Sequence, residues 1–183
     1  MENQARIEVD EDLFLSPLQT EDLDRMVEFL KDPLIHQNTL TLPNPYHRKD
    51  AGQFLEMIEA KYRQFGWRTE YAIRLGNGAF IGMAGFLGHS KKTPHTDEIG
   101  YWMAKPYRGK GRMSRVVQKL VSYGFNQRKL IRITAKVFHF NSASARVLEK
   151  AGFEKEGLLR RSEAKNGHYI DAYLYSIIHP DYL

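Results

Sequence analysis

The segment from Glu98 to Val121 constrains the fold more than any other part of the chain. It reads Glu98-Ile-Gly-Tyr-Trp-Met-Ala104, then Lys105-Pro-Tyr-Arg-Gly-Lys-Gly111, then a stretch with Met113, Val116, Val117, Leu120 and Val121 on one helical face. The first piece has strand character and the last has helical spacing. Strand, glycine-rich turn and helix in immediate succession belong to sheets covered by helices. The glycines allow a tight turn and let amide N–H groups approach a ligand. The following helix points its positive end at the same place, a combination suited to phosphate oxygens. Lys105, Arg108, Lys110, Arg112 and Arg115 add positive charge with no acid among them. A plain strand-to-helix turn with a solvated basic face is the alternative. The chain has no G-x-x-x-x-G-K-[ST] here and no G-x-G-x-x-G, so neither a P-loop nor a dinucleotide fingerprint is present.

The flanking sequence supplies more of the same layers. Leu13 to Leu15 is a short strand. Thr20 caps a helix whose face is Leu23, Met26, Val27 and Leu30, and Pro33 limits it to about residue 31. Thr39 to Tyr46 contains two prolines and reads as an irregular loop. A second helix carries Ala51, Phe54, Leu55, Ile58 and Tyr62 and stops at Gly66. Thr69–Leu75 and Ala79–Leu87 form a hairpin around Gly76-Asn77-Gly78. A polar loop, His89 to Asp97, precedes the strand Glu98–Ala104. After the central helix come a strand, Leu130–Phe138, and a helix capped by Asn141 and ended by Gly152. Two last strands, Phe153–Leu159 and Tyr169–Ile177, join at Lys165-Asn166-Gly167. The fold class is therefore α/β, a mixed sheet with helices on both faces, in one domain spanning 1–183.

Composition removes several alternatives. The 183 residues are 42% hydrophobic and 27% charged, which fits a globular core. No apolar run reaches the roughly 18–20 residues of a membrane span, and the acidic start does not resemble a secretory leader. With no cysteine, disulfides, thiolate metal sites and cysteine nucleophiles are excluded, and a cytoplasmic location is expected. The seven histidines show no metal-binding spacing, so no metal is expected. Charge is unevenly placed, at −5 over residues 1–100 and +10 over 101–183. A basic half suggests a polyanionic partner: nucleic acid, lipid or a phosphorylated cofactor.

A second motif follows: Asn141-Ser-Ala-Ser-Ala-Arg-Val-Leu-Glu-Lys-Ala-Gly-Phe153. Taken in order with the R-G-K-G loop after E-I-G-Y-W, it resembles the GNAT superfamily of acyl-CoA-dependent N-acetyltransferases. The branch most similar includes the ribosomal-protein-alanine N-acetyltransferases. Thr41-Leu-Pro-Asn-Pro-Tyr46, Glu156-Gly-Leu158 and Gly167-His-Tyr-Ile-Asp171 extend the likeness over most of the chain.

The resemblance implies a GNAT-like acyl-CoA N-acyltransferase fold, with acetyl-CoA as co-substrate and a primary amine as acceptor. In the superfamily's R/Q-x-x-G-x-G/A loop, Arg108 and Gly111 match, whereas Met113 stands where a small residue is usual. The implied cofactor-binding residues are Trp102, Met103 and Ala104 along the pantetheine arm, Arg108, Gly109, Lys110, Gly111, Arg112, Met113 and Ser114 around the diphosphate, and Asn141. Glu98 is the candidate base or water-holding group, although a solvated strand-end Glu has the same sequence appearance. The superfamily's frequent tyrosine acid falls at Leu148 and is absent. Ser144 offers a hydroxyl instead, or serves only as a local cap. Asp171 is open to two roles, binding an acceptor ammonium or pairing with an arginine. His139 and His168 are candidates for the acceptor side, with a plain surface position as the alternative. The acceptor is a protein N-terminus or a small-molecule amine. A cofactor-binding sensor without catalysis is the second reading, motivated by Met113 and Leu148. Neither membrane nor nucleic acid is expected as a partner, since a cofactor with several phosphates accounts for the basic half. A homodimer is left open.

Overall fold

The computed structural model describes residues 6–88 and 94–182. The expected loop from His89 to Asp97 therefore lies partly outside the described residues. The chain divides into two compact units, 1–85 with 101–112, and 86–100 with 113–183. Both combine sheet with flanking helices, and the fold is mixed α/β as expected.

The first unit begins with β1 (Ile7–Glu8), β2 (Leu13–Ser16), β3 (Glu70–Leu75) and β4 (Phe80–Phe86), paired antiparallel in that order. Three helices lie between β2 and β3: α1 (Leu23–Phe29), α2 (Pro33–Asn38) and α3 (Arg48–Phe65). Leu23, Met26, Ile35, Ala51 and Ile58 from these helices bury against Ala72, Phe80 and Met83 of the strands. Each large apolar side chain buried this way contributes roughly 1.5–3 kcal/mol. Among the strands and α-helices, β1 and α2 are not evident from sequence. β1 is too short to show a period. α1 already ends at Phe29, and Pro33 is the first residue of the next helix, where a missing N–H costs nothing. The Asp32 side chain caps α2 by accepting the Leu34 N–H at 3.0 Å.

In the second unit, β5 (Thr96–Met103, whose last three residues belong to the first unit) pairs parallel with β6 (Arg132–Phe138) from Thr96↔Arg132 to Glu98↔Thr134. β6 pairs antiparallel with β8 (His168–Ile178), and β8 with β7 (Glu154–Lys165). The Asn166-Gly167 turn has φ of 51° and 77°, the positive values that a two-residue hairpin requires. β7 runs further than the expected Phe153–Leu159, because two register shifts, at Lys155/Gly157 and Leu159/Glu163, absorb residues that break the alternation. α4 (Arg112–Asn126) buries Met113, Val116, Val117, Leu120, Val121 and Phe125. Its Gly124 allows a close approach, since a Cβ there would lie 2.8 Å from Ile133 Cδ1. α5 (Ser142–Lys150) completes the unit.

Candidate functional site

In the first unit, the end of β5 and the glycine loop are fixed by named bonds. Met103 and Ala104 are buried and Trp102 is half-buried, its ring edge-on to Phe80 at 5.9 Å. β4 lies so close that a Cβ on Gly82 would sit 2.4 Å from the Trp102 carbonyl oxygen. The Ala104 N–H donates to the Ile81 carbonyl at 2.9 Å. The Met103 carbonyl accepts from Arg108 Nε at 2.8 Å. Two of the backbone groups on the expected pantetheine segment are therefore engaged within the protein.

The loop turns at Gly109 and Gly111, with φ of 83° and 68°. At Gly109 a Cβ would meet nothing within 4 Å, so backbone conformation rather than space favours glycine there. Lys110 is exposed between them, and Arg112 Nη1 donates to the Tyr107 carbonyl at 3.4 Å. α4 begins immediately after Gly111, and the first-turn N–H groups of a helix have no intrahelical acceptor. Ser114 in that turn is half-buried. Met113, the departure from the superfamily pattern, is only 8% exposed. Its bulk belongs to the core face of α4, and its N–H stays in the first turn.

Arg108 does something its motif position did not announce. Its Nη2 pairs with Asp32 at 2.8 Å while its Nε holds Met103. Next to it, the Tyr107 hydroxyl accepts from Arg25 Nη2 at 2.9 Å, and the Tyr107 ring packs edge-on against Phe29. The loop is thus tied to α1 and to the cap of α2. Asp32, Arg25 and Tyr107 were not singled out from sequence. An Asp-Pro pair signals a helix start but not a partner 76 positions away.

In the second unit, Glu98 is the third residue of β5 and half-buried, at the last rung of the parallel ladder with β6. Beneath it, Asp97 is fully buried. Asp97 Oδ1 accepts the Glu98 N–H at 2.7 Å, and Oδ2 accepts from Arg128 Nη1 at 2.6 Å. The Arg128 guanidinium lies over the Phe86 ring. The buried Asp97 carboxylate thus links the Glu98 N–H to Arg128.

Asn141 caps α5, its Oδ1 accepting the Ser144 N–H at 3.1 Å. Its side-chain NH2 makes no bond among the described residues and remains a donor. The structure thus brings Asn141 and Ser144 together. Leu148 is fully buried on α5, so that position belongs to the core. Asp171 Oδ1 accepts the backbone N–H of Arg161 at 2.7 Å. His139 is exposed, and its N–H donates to the Asp171 carbonyl at 3.0 Å. Among the described residues no group of three or more His, Asp or Glu is placed to hold a metal, and no helix is long and apolar enough to cross a membrane.

Comparison with known proteins follows the same lines. Residues 12–154 match the Acetyltransferase (GNAT) domain model. The chain is 31% identical over 175 residues to the uncharacterized N-acetyltransferase p20 of Bacillus licheniformis, covering 94% of this chain and 96% of that one. The ribosomal alpha-N-protein acetyltransferase RimL, solved in complex with coenzyme A, aligns with a TM-score of 0.85 at 21% identity, over 94% and 97% of the two chains. The microcin C7 self-immunity acetyltransferase MccE, solved with acetyl-CoA and AMP, aligns with a TM-score of 0.84 at 21% identity, over 96% and 97%. At such identities the two structures speak for the fold.

Proposed function

The chain belongs to the GNAT acetyltransferase family, and from that premise we propose that it is an acetyl-CoA-dependent N-acetyltransferase that acylates a primary amine. The observation that carries this reading is the loop at Gly109 and Gly111, whose positive φ values turn the backbone directly into the first turn of α4. Peptide N–H groups presented at a helix N-terminus suit a diphosphate. RimL and MccE, of the same fold, were solved with coenzyme A and acetyl-CoA respectively.

Bound acetyl-CoA supplies an acyl group already activated as a thioester. Gly109, Lys110, Gly111, Arg112, Met113 and Ser114 hold the diphosphate, chiefly through main-chain N–H groups. Arg108 is a positioning residue in this reading, because its guanidinium is committed to Met103 and Asp32. Trp102, Met103 and Ala104 border the pantetheine arm with the groups that Ile81 and Arg108 leave free. Asn141 contributes its unpaired NH2. Glu98 takes the proton of the acceptor ammonium, directly or through water. Ser144 hydrogen-bonds the departing sulfur. The whole chain, 1–183, works as one cytoplasmic transferase domain.

The acceptor is a protein N-terminus, as RimL's description suggests, or a small-molecule amine. A cofactor-binding sensor is the second reading, favoured by the core position of Leu148 where a tyrosine acid would stand. Titration calorimetry with acetyl-CoA, on wild type and on Arg108→Glu/Gly111→Asp, tests the site. Binding in the parent and loss in the double variant are expected. No binding in the parent overturns the proposal. Binding without thiol release across an amine and peptide panel leaves the sensor.

A further inference from the structure

Tyr46 closes the Thr41-Leu-Pro-Asn-Pro-Tyr46 segment and stands just before His47, the cap of α3. It is 6% exposed, within the cluster that contains Ile35, Ala51, Phe80 and Met83. Trp102, on the expected pantetheine segment, packs against the same cluster. The ring is therefore well held, but its hydroxyl is not: among the described residues it has no hydrogen-bond partner. The carboxylate that lies near it, Asp50, is engaged elsewhere, its Oδ2 accepting the His47 N–H at 2.7 Å. Native proteins seldom bury a hydroxyl without a partner, because it loses its bonds to water and regains nothing. Stability alone favours phenylalanine at such a position.

We propose that the Tyr46 hydroxyl is a substrate-contacting group, which finds its missing partner in the thioester carbonyl oxygen of bound acetyl-CoA. This rests on the transferase reading above. As the amine nitrogen bonds to the carbonyl carbon, negative charge collects on that oxygen. The carbon–sulfur bond then breaks, sulfur leaves with the electron pair and is protonated, and the amine proton leaves through the base. A donor already fixed in an apolar surround stabilises the charge without reorganising. Burial, aided by Asp50, pushes the phenol up to about 12. It therefore stays protonated at neutral pH. Transfer of its proton to a thiolate, with an ordinary thiol value of about 8.5, is uphill. Tyr46 thus acts by donating a hydrogen bond and not by giving up the proton.

The test compares Tyr46→Phe with wild type and with Tyr169→Phe, a deletion of a hydroxyl that is 72% exposed. Thiol release from acetyl-CoA is followed with a thiol reagent, both with an amine panel and with water as the only acceptor. The cysteine-free chain gives no background. Tyr46→Phe is expected to melt no lower than wild type without ligand, and to bind CoA, which lacks the carbonyl, as wild type does. Its kcat should fall by about 10²–10³-fold, the usual effect of losing one such donor, with the pH profile unmoved. Tyr169→Phe should behave as wild type. An unchanged kcat in Tyr46→Phe overturns the proposal and assigns the hydroxyl to a buried water. A lower melting temperature with unchanged kcat makes it structural. Wild type that neither binds acetyl-CoA nor releases thiol overturns the transferase reading and this inference with it.

Discussion

Arg74 and Arg108 both grip an aspartate in the first unit, and they differ in how deeply the pair is buried. Arg74 and Asp22 are 9% and 8% exposed, joined by two bonds of 2.8 and 2.6 Å. Arg74 also donates to Ser16 Oγ and to the Gly78 and Pro17 carbonyls. Every donor direction is used up inside the fold, and the grip joins β2, β3 and the turn before α1. Arg108 and Asp32 are 30% and 16% exposed. Arg108 holds one carbonyl and one carboxylate and stands in a loop whose glycines present backbone to solvent. A fully satisfied buried arginine specifies the fold. A half-exposed one in a turned loop sets the shape of a surface.

Substitutions can break this contrast. The largest effect is expected from Arg74→Ala, which leaves Asp22 charged and buried. A loss of about 3–5 kcal/mol is typical of an orphaned buried charge, and a urea unfolding curve measures it. Arg108→Ala should reverse the ranking. Its stability loss should stay near 1 kcal/mol, in keeping with a partly solvated pair. Affinity for acetyl-CoA should fall at least tenfold by calorimetry. Equal stability losses in the two variants would erase the distinction. Asp32→Asn is sharper still. Asparagine caps a helix as well as aspartate does, so α2 should keep its stability within about 0.5 kcal/mol. Only the charge that holds Arg108 is lost, and acetyl-CoA affinity should drop by a few-fold.

The smallest effect concerns a third pair, in the second unit. Arg132 donates two bonds of 2.6 Å to Glu156, and Ser176 adds another. Together they hold the Glu156 carboxyl down at about 2. Because the folded value lies below the ordinary 4.5, the stabilisation is present above that pH. It is lost as pH falls toward 2. Glu156 is 37% exposed, so solvent screening keeps it below about 1 kcal/mol. Stability of wild type and Arg132→Gln, followed from pH 7 to 2, should differ slightly at neutrality and converge at the acid end.

Much of this was legible in the sequence because local chemistry decided it. Two glycines between a strand and an amphipathic stretch can hardly form anything but the turn into α4. Asn166-Gly167 forces a hairpin, and Asn141 announces its cap. The misses have separate physical origins. In the sequence Pro33 looks only like a stop, although the same missing N–H makes it a start. The sequence pattern starts this strand at Glu98, but β5 opens two residues earlier, at Thr96. β7 outran its expected end because its bulges hide the two-residue period. Partners far apart in sequence left no local trace. Nothing around residue 32 names Arg108, and nothing around Asp97 names Arg128. The orphaned hydroxyl of Tyr46 is equally silent in sequence, since a tyrosine in an apolar segment looks the same with or without a partner.

The anchoring of Tyr107 to Arg25 and Phe29, and of Arg108 to Asp32 and Met103, has a kinetic consequence. An unrestrained backbone residue gives up about 1–2 kcal/mol of conformational entropy when it is fixed. For the loop 105–111 much of that loss is taken when the domain folds, before any ligand arrives. On the proposed function, a diphosphate arriving here would meet a backbone whose shape is already set, beside positive side chains. Its rate of arrival is governed by diffusion and ionic strength, not by the time a loop needs to find its shape.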